Sequence, residues 1–271
     1  MDLHLTNKVA LVTGASKGIG AAIAWELASE GADIAMCARG ARELGDQAER
    51  IAALGRQVVA VPADVATAAG VDSVVEAARA TFGRVDILVN NAGGAPGPGG
   101  FMNLRDEHWQ AAWELNVMSA VRFCRALIPG MVERCWGRVI NIASTSAREP
   151  DIVVCAYNSA KAALLALSKT LANAYAKDGV LVNCVLPGLT RTPAVETSAA
   201  KRLRERGESV DGLSADELVA RYYLPRRPLP VGRLGTPEDL AAVVAFLASD
   251  RASWISGAAL NVDGGWVKSI Y

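Results

Sequence analysis

Tyr157 and Lys161 stand four residues apart, Ser144 precedes Tyr157 by thirteen, and a glycine-rich turn, Thr13-Gly14-Ala15-Ser16-Lys17-Gly18-Ile19-Gly20, lies near the start of the chain. On a helix, positions four apart share a face, which brings an ammonium close to a phenol. A free tyrosine titrates at about pH 10 and is a weak acid or base at neutral pH. A fixed cation beside it favours the phenolate and draws its pKa towards the range where general acid–base catalysis works best. Ser144 adds a second hydroxyl just beyond the apolar run Arg138-Val139-Ile140-Asn141-Ile142. Two hydroxyls converging on one carbonyl oxygen can polarise it and protonate the alkoxide as a hydride arrives. A Tyr-x-x-x-Lys pair alone is commonplace on solvated helices; joined to the serine and the glycine turn, it points to hydride transfer.

The turn has its own chemistry. A short apolar run, 9–13, leads into Gly14, Gly18 and Gly20, the pattern of a strand, a tight turn and a helix start. Glycines let backbone approach phosphates, and a helix N-terminus offers unpaired N–H donors and partial positive charge to a pyrophosphate. The spacing is G-x-x-x-G-x-G rather than G-x-G-x-x-G. After the second apolar run, Cys37-Ala38-Arg39 lacks the acidic residue that would hold the ribose hydroxyls of NAD. Arg39 and Lys17 form a cationic clamp suited to the 2′-phosphate of NADP(H), which is preferred over NAD(H) on that ground; the bland alternative is a pair of surface cations.

These residues need a scaffold, and the chain supplies one. Short apolar runs at 9–13, 33–38, 58–62, 87–90, 139–142, 181–186 and 258–262 alternate with amphipathic stretches at 18–30, 42–54, 68–82, 104–133, 156–177 and 237–248. Such alternation predicts an α/β fold: a Rossmann-type doubly wound parallel sheet of about seven strands with helices on both faces. At 271 residues one domain, 1–271, is expected. Only 192–230 breaks the rhythm, with a basic run, Lys201-Arg202-Leu203-Arg204-Glu205-Arg206, and a proline-rich exit. The run reads first as a solvated helical face, yet an insertion beside the site is where a substrate lid belongs.

Lysines plus arginines equal aspartates plus glutamates at 28 each, which removes the electrostatic case for nucleic acid or an anionic membrane surface. Five scattered cysteines without C-x-x-C spacing and only two histidines read as buried thiols in a reducing compartment and no metal site. With no signal-like start and no apolar run long enough to span a bilayer, the protein is expected to be cytoplasmic.

With the glycine turn, Asn90-Asn91-Ala92-Gly93, Asn116, Ser144, Tyr157, Lys161, Pro187-Gly188 and the closing Asn261-Val262-Asp263-Gly264-Gly265 in order, the chain resembles the short-chain dehydrogenase/reductase family over nearly its whole length. It is most similar to the branch of 3-oxoacyl-carrier-protein reductases and tropinone reductase-like enzymes. The resemblance implies a catalytic tetrad. Tyr157 is its acid/base, Ser144 orients the carbonyl, Lys161 holds the nicotinamide ribose and lowers the tyrosine pKa, and Asn116 positions a water that links the lysine to solvent. It also implies that Gly14, Ser16, Lys17, Gly18, Ile19, Gly20, Asp64, Val65, Asn91, Ala92, Gly93, Pro187, Gly188, Thr190 and Thr192 line the cofactor. Thr190 departs from the pattern, where a branched aliphatic residue is commoner. A homotetramer, assembled through the apolar helices 237–248 and 156–171, is implied as well.

The expected substrate rim, with Gly94, Ile152, Leu189 and Val195 beside Ser144 and Tyr157, is mostly apolar or small. The expected activity is therefore NADPH-dependent reduction of a 3-oxoacyl or other apolar or cyclic ketone to a secondary alcohol. The alternatives are an NAD-dependent alcohol or steroid-type dehydrogenase working oxidatively and, from another class, a nucleotide-sensing or scaffold protein that does not turn over.

Overall fold

The computed structural model describes residues 3–225 and 229–270. Seven strands, β1 (Val9–Thr13), β2 (Asp33–Ala38), β3 (Val58–Pro62), β4 (Ile87–Asn90), β5 (Gly137–Ile142), β6 (Val180–Pro187) and β7 (Ala259–Val262), form one sheet in the order β3-β2-β1-β4-β5-β6-β7. Every pairing is parallel. Side chains alternate across each strand, and both faces must be covered, which explains the near-continuous apolar runs. Ala10 and Val12 of β1 join one core with helices α1 (Gly18–Ser29), α2 (Ala41–Ala52) and α9 (Pro237–Ala248). Val9 and Leu11 join the opposite core with α3 (Ala68–Phe82), α5 (Ser119–Glu133) and α6 (Cys155–Tyr175). Each fully buried aliphatic side chain contributes about 1.5–3 kcal/mol, several times any helix-propensity difference. Packing therefore fixes where these helices lie.

The strand order reverses between β1 and β4, and the crevice outside the carboxyl ends of strands at such a switch point is where open α/β sheets bind ligands. The glycine turn leaves β1 there. Asn91-Ala92-Gly93 leaves β4, Ser144 leaves β5, and Pro187-Gly188 ends β6.

One expectation is revised and another gains detail. The predicted single helix 104–133 is α4 (Asp106–Trp113) and α5 joined by a wider π turn, Glu114–Met118, of the kind that often marks functional sites. The charged 192–230 segment is folded into two helices, α7 (Pro193–Arg204) and α8 (Ala215–Tyr223). Thr192 caps α7 through the Val195 N–H, and Ser214 and Glu217 form a reciprocal capping box on α8. Arg226, Arg227 and Pro228 of the expected lid lie outside the described residues.

The stretches Asp106–Glu133 and Ile152–Asp178 are long and apolar enough, by length and composition alone, to cross a membrane. They are instead flanking layers of the sheet: small and aliphatic residues make such core helices read like spans.

Candidate active site

A cleft of about 540 Å³ opens at the carboxyl ends of β1, β4, β5 and β6. The glycine turn forms one part of its lining; Ser144, Tyr157 and Lys161 form another, and α7 and α8 contribute the rest. A smaller pocket of about 290 Å³ shares Gly14, Lys17, Ala92 and Gly93 with it and adds Ser16, Arg39, Glu43, Asp64 and Val65. The two form a continuous track from β2 to β6.

Sterics dictate the glycines. Gly14 and Gly18 have φ of +66° and +59°, a region that side-chain-bearing residues rarely enter. A Cβ at Gly20 would lie 2.3 Å from the Gly14 carbonyl oxygen, and one at Gly93 would lie 2.8 Å from Asn116 Oδ1 and 2.9 Å from Lys161 Nζ. Lys17 at the N-cap of α1 is extended and no side chain caps the helix, which leaves the first-turn N–H groups to an anion. A dinucleotide would fit this cradle, with the α1 N-terminus open to its pyrophosphate and the smaller pocket open to its adenosine. Asn91 braces the turn, its Nδ2 donating to the Thr13 and Gly14 carbonyls at 2.8 and 3.2 Å.

The candidate acid/base is built from α6 and the end of β5. Lys161 is 3 % exposed, and its Nζ donates to the Ile142 carbonyl at 2.7 Å. Burial pulls its pKa down to about 8, because the low-dielectric surroundings disfavour the ammonium. The ammonium lies 5.6 Å from the centre of the Tyr157 ring. Tyr157 itself departs from expectation: burial of the hydroxyl raises its pKa, partly countered by a hydrogen bond from Ser144. With its ammonium turned to the Ile142 carbonyl and its charge 5.6 Å from the ring, Lys161 does not overcome that desolvation. The phenol therefore keeps its proton at neutral pH, the state an acid requires.

Asn116 lies in the π turn and is 2 % exposed. Its Oδ1 accepts from the Gly94 N–H at 3.1 Å, and its Nδ2 donates to the Gly94 and Ala112 carbonyls at 2.9 and 2.8 Å. It thus clamps the Gly93-Gly94 backbone against the helix. The extra residue of the π turn is the local means of aiming it.

Thr190 is buried, and a bridge to Gly235 holds its strand-like backbone, so the departure from an aliphatic residue leaves the backbone in place. Pro187, Gly188, Leu189, Thr192, Val195 and Gly94 line the cleft. Ile152 does not: it is 70 % exposed, and Val154, two residues on, takes the inward place. Sequence reasoning missed Ser198 and Tyr223, which α7 and α8 carry into the lining. The Ser-x-x-Glu capping signature at Ser214 was the available signal that α8 existed.

Comparison with known proteins agrees with this geometry. The family model described as short chain dehydrogenase matches residues 8–203. The 3-oxoacyl-[acyl-carrier-protein] reductase of Escherichia coli is 37 % identical over 266 residues, covering 97 % of this chain and 98 % of its own. L-sorbose reductase from Gluconobacter frateurii, solved with NADPH and L-sorbose, is 42 % identical with a TM-score of 0.91 over the whole of both chains. A 7α-hydroxysteroid dehydrogenase solved with NADH and a 7-oxo bile acid is 30 % identical with a TM-score of 0.82, over 100 % of this chain and 98 % of its own.

Proposed function

The chain belongs to the short chain dehydrogenase family, and on that premise we propose that it reduces a ketone to a secondary alcohol with NADPH, Tyr157 acting as the proton donor. The observation that carries the reading is the meeting of Ser144, Tyr157 and Lys161 in one cleft with the glycine turn. When bound, the reduced nicotinamide supplies the hydride. Ser144 and Tyr157 hold the carbonyl oxygen between two hydroxyls, so that charge developing there meets donors already in place. The Tyr157 Oη proton passes to that oxygen, and the Lys161 ammonium stabilises the phenolate left behind. Asn116 keeps the Gly94 backbone, and with it the floor of the cleft, in register. Helices α7 and α8 act as the lid that closes over the substrate.

The preference for NADPH rests on the placement of charge in the smaller pocket, where Lys17 and Arg39 share the lining with Glu43 and Asp64. Cations and carboxylates balance in number there, so the preference comes from a guanidinium, rather than an acidic residue, following the end of β2, where a 2′-phosphate would be met. Structural relatives with NADPH and with NADH are both known, so binding decides. Arg39→Asp is expected to raise Kd for NADPH by about 10–100-fold, the worth of one charge-assisted hydrogen bond to phosphate, with little change for NADH. Tighter binding of NADH than of NADPH by the unaltered protein would overturn the assignment. A ketone library followed at the reduced-nicotinamide absorbance tests turnover itself. Failure with every ketone and both nicotinamides would leave the nucleotide-sensing alternative standing.

The assembly is read as a homotetramer. Helix α9 is largely consumed by packing inside the protomer, but α6 leaves Ser159, Ala162 and Ala166 exposed, a small-residue face that permits close helix approach. Sedimentation equilibrium is expected to give four times the 28.4 kDa chain mass; a monomer alone would refute it.

A further inference from the structure

We infer that Ser198 and Tyr223 form a hydroxyl-reading subsite, and that the substrate is a small polyhydroxylated ketone or its alcohol rather than a plain hydrocarbon ketone. The inference rests on the ketone-reductase reading and adds the chemical class. Both residues line the cleft that holds Ser144 and Tyr157, and they come from different helices: Ser198 from α7, Tyr223 from the last turn of α8. The Tyr223 hydroxyl donates to Ser198 Oγ at 3.2 Å. A pair of hydroxyls uses one hydrogen in its own bond, so the other hydrogen is free for an acceptor in the cleft and the oxygens retain acceptor capacity. One substrate hydroxyl can satisfy both at once, accepting that free hydrogen and donating to the partner oxygen.

The pair is held in place. Tyr222 packs edge-on against Tyr223 with ring centres 4.7 Å apart, and Arg206 stacks 5.0 Å from the Tyr222 ring centre. Arg221 pairs with Glu208 at 3.0 Å. Arg191, between the cleft residues Thr190 and Thr192, pairs with Asp216 at the start of α8 through two 2.8 Å contacts. Each exposed pair is weak alone. Together they tie the helix that carries Tyr223 to the loop that closes the cofactor end of the cleft.

The rest of the lid's contribution to the lining, Pro193, Ala194 and Val195, is apolar and small. An apolar wall with one paired hydroxyl station suits a carbon chain that bears hydroxyls at a distance from its carbonyl. A polar station inside an apolar wall also discriminates: a ligand without the matching hydroxyl gains nothing there and keeps the pair from its best partner.

The test compares two ketones of equal length, a ketohexose and 2-hexanone, in the unaltered protein and in Tyr223→Phe and Ser198→Ala. The unaltered protein is expected to have the higher kcat/KM for the ketohexose. Each variant is expected to lower the ratio of ketohexose to hexanone kcat/KM by about tenfold, the worth of one net hydrogen bond, chiefly through KM. An unchanged Kd for NADPH in both variants shows that the cofactor site has survived. A ratio unmoved by both variants, or hexanone turned over as well as the ketohexose by the unaltered protein, would overturn the subsite and leave the reductase intact. Absence of turnover with either ketone, and across the ketone library, would instead remove the reading on which it rests.

Discussion

Replacing Tyr157 by phenylalanine is expected to lower kcat/KM for ketone reduction by about 10³–10⁴-fold, the upper range for a positioned general acid, while Kd for NADPH moves by less than about twofold. The split follows from where the hydroxyl acts. The Tyr157 ring packs in α6 and lines the cleft, so the phenylalanine ring keeps the wall and the helix. What disappears is the proton that must reach the substrate oxygen as the hydride arrives, together with the Ser144–Tyr157 hydrogen bond that orients both hydroxyls. That loss corresponds to about 4–5.5 kcal/mol of transition-state stabilisation. Single-turnover kinetics at saturating NADPH measures it directly. Because burial keeps the phenol protonated, the effect belongs to the chemical step of reduction, and a variant retaining more than about a tenth of the rate would mean that the proton comes from elsewhere.

The strands were legible because a doubly covered sheet demands apolar runs on both faces of each strand, and these set the observed limits to within one or two residues at β5, β6 and β7 and to the residue in β1–β4. The glycine turn was legible for a steric reason: side-chain-bearing residues rarely adopt the Gly14 and Gly18 dihedrals, and a Cβ at Gly20 would run into the Gly14 carbonyl. The π turn at Asn116 was not, since its residues keep helical composition and the extra residue leaves no compositional mark. Tyr223 escaped for a different reason. Its role depends on α8 folding back beside α7, a tertiary event that local charge density conceals. The direction of the Tyr157 pKa was also out of reach: four-residue spacing gives proximity to Lys161, but desolvation depends on what encloses the hydroxyl, and here desolvation is the larger influence.

Lys161→Met is expected to move activity and stability in opposite directions. In the unaltered protein the ammonium sits 2.7 Å from the Ile142 carbonyl in a nearly closed site, with its pKa lowered from 10.5 to about 8. A lysine whose pKa falls on folding binds fewer protons in the folded than in the unfolded state between those two values, so stability rises with pH across that window and the penalty is complete below about pH 8. At pH 7 the penalty is about 3 kcal/mol, and loss of the charge-assisted hydrogen bond to Ile142 offsets about 1.5–3 kcal/mol of its removal. Urea unfolding of the cofactor-free methionine variant should therefore show equal or higher stability at pH 7, with the difference closing towards pH 10. Reduction runs the other way. The charge that stabilises the Tyr157 phenolate is present below about pH 8 and is lost above it, so the unaltered rate holds at neutral pH and falls as pH rises through that value. The variant should lose about 10²–10³-fold at pH 7 and show no such inflection. A methionine variant that is both less stable and inactive at pH 7 would mean that Lys161 is structural; one that gains stability and loses activity places its buried charge in the service of the phenol alone.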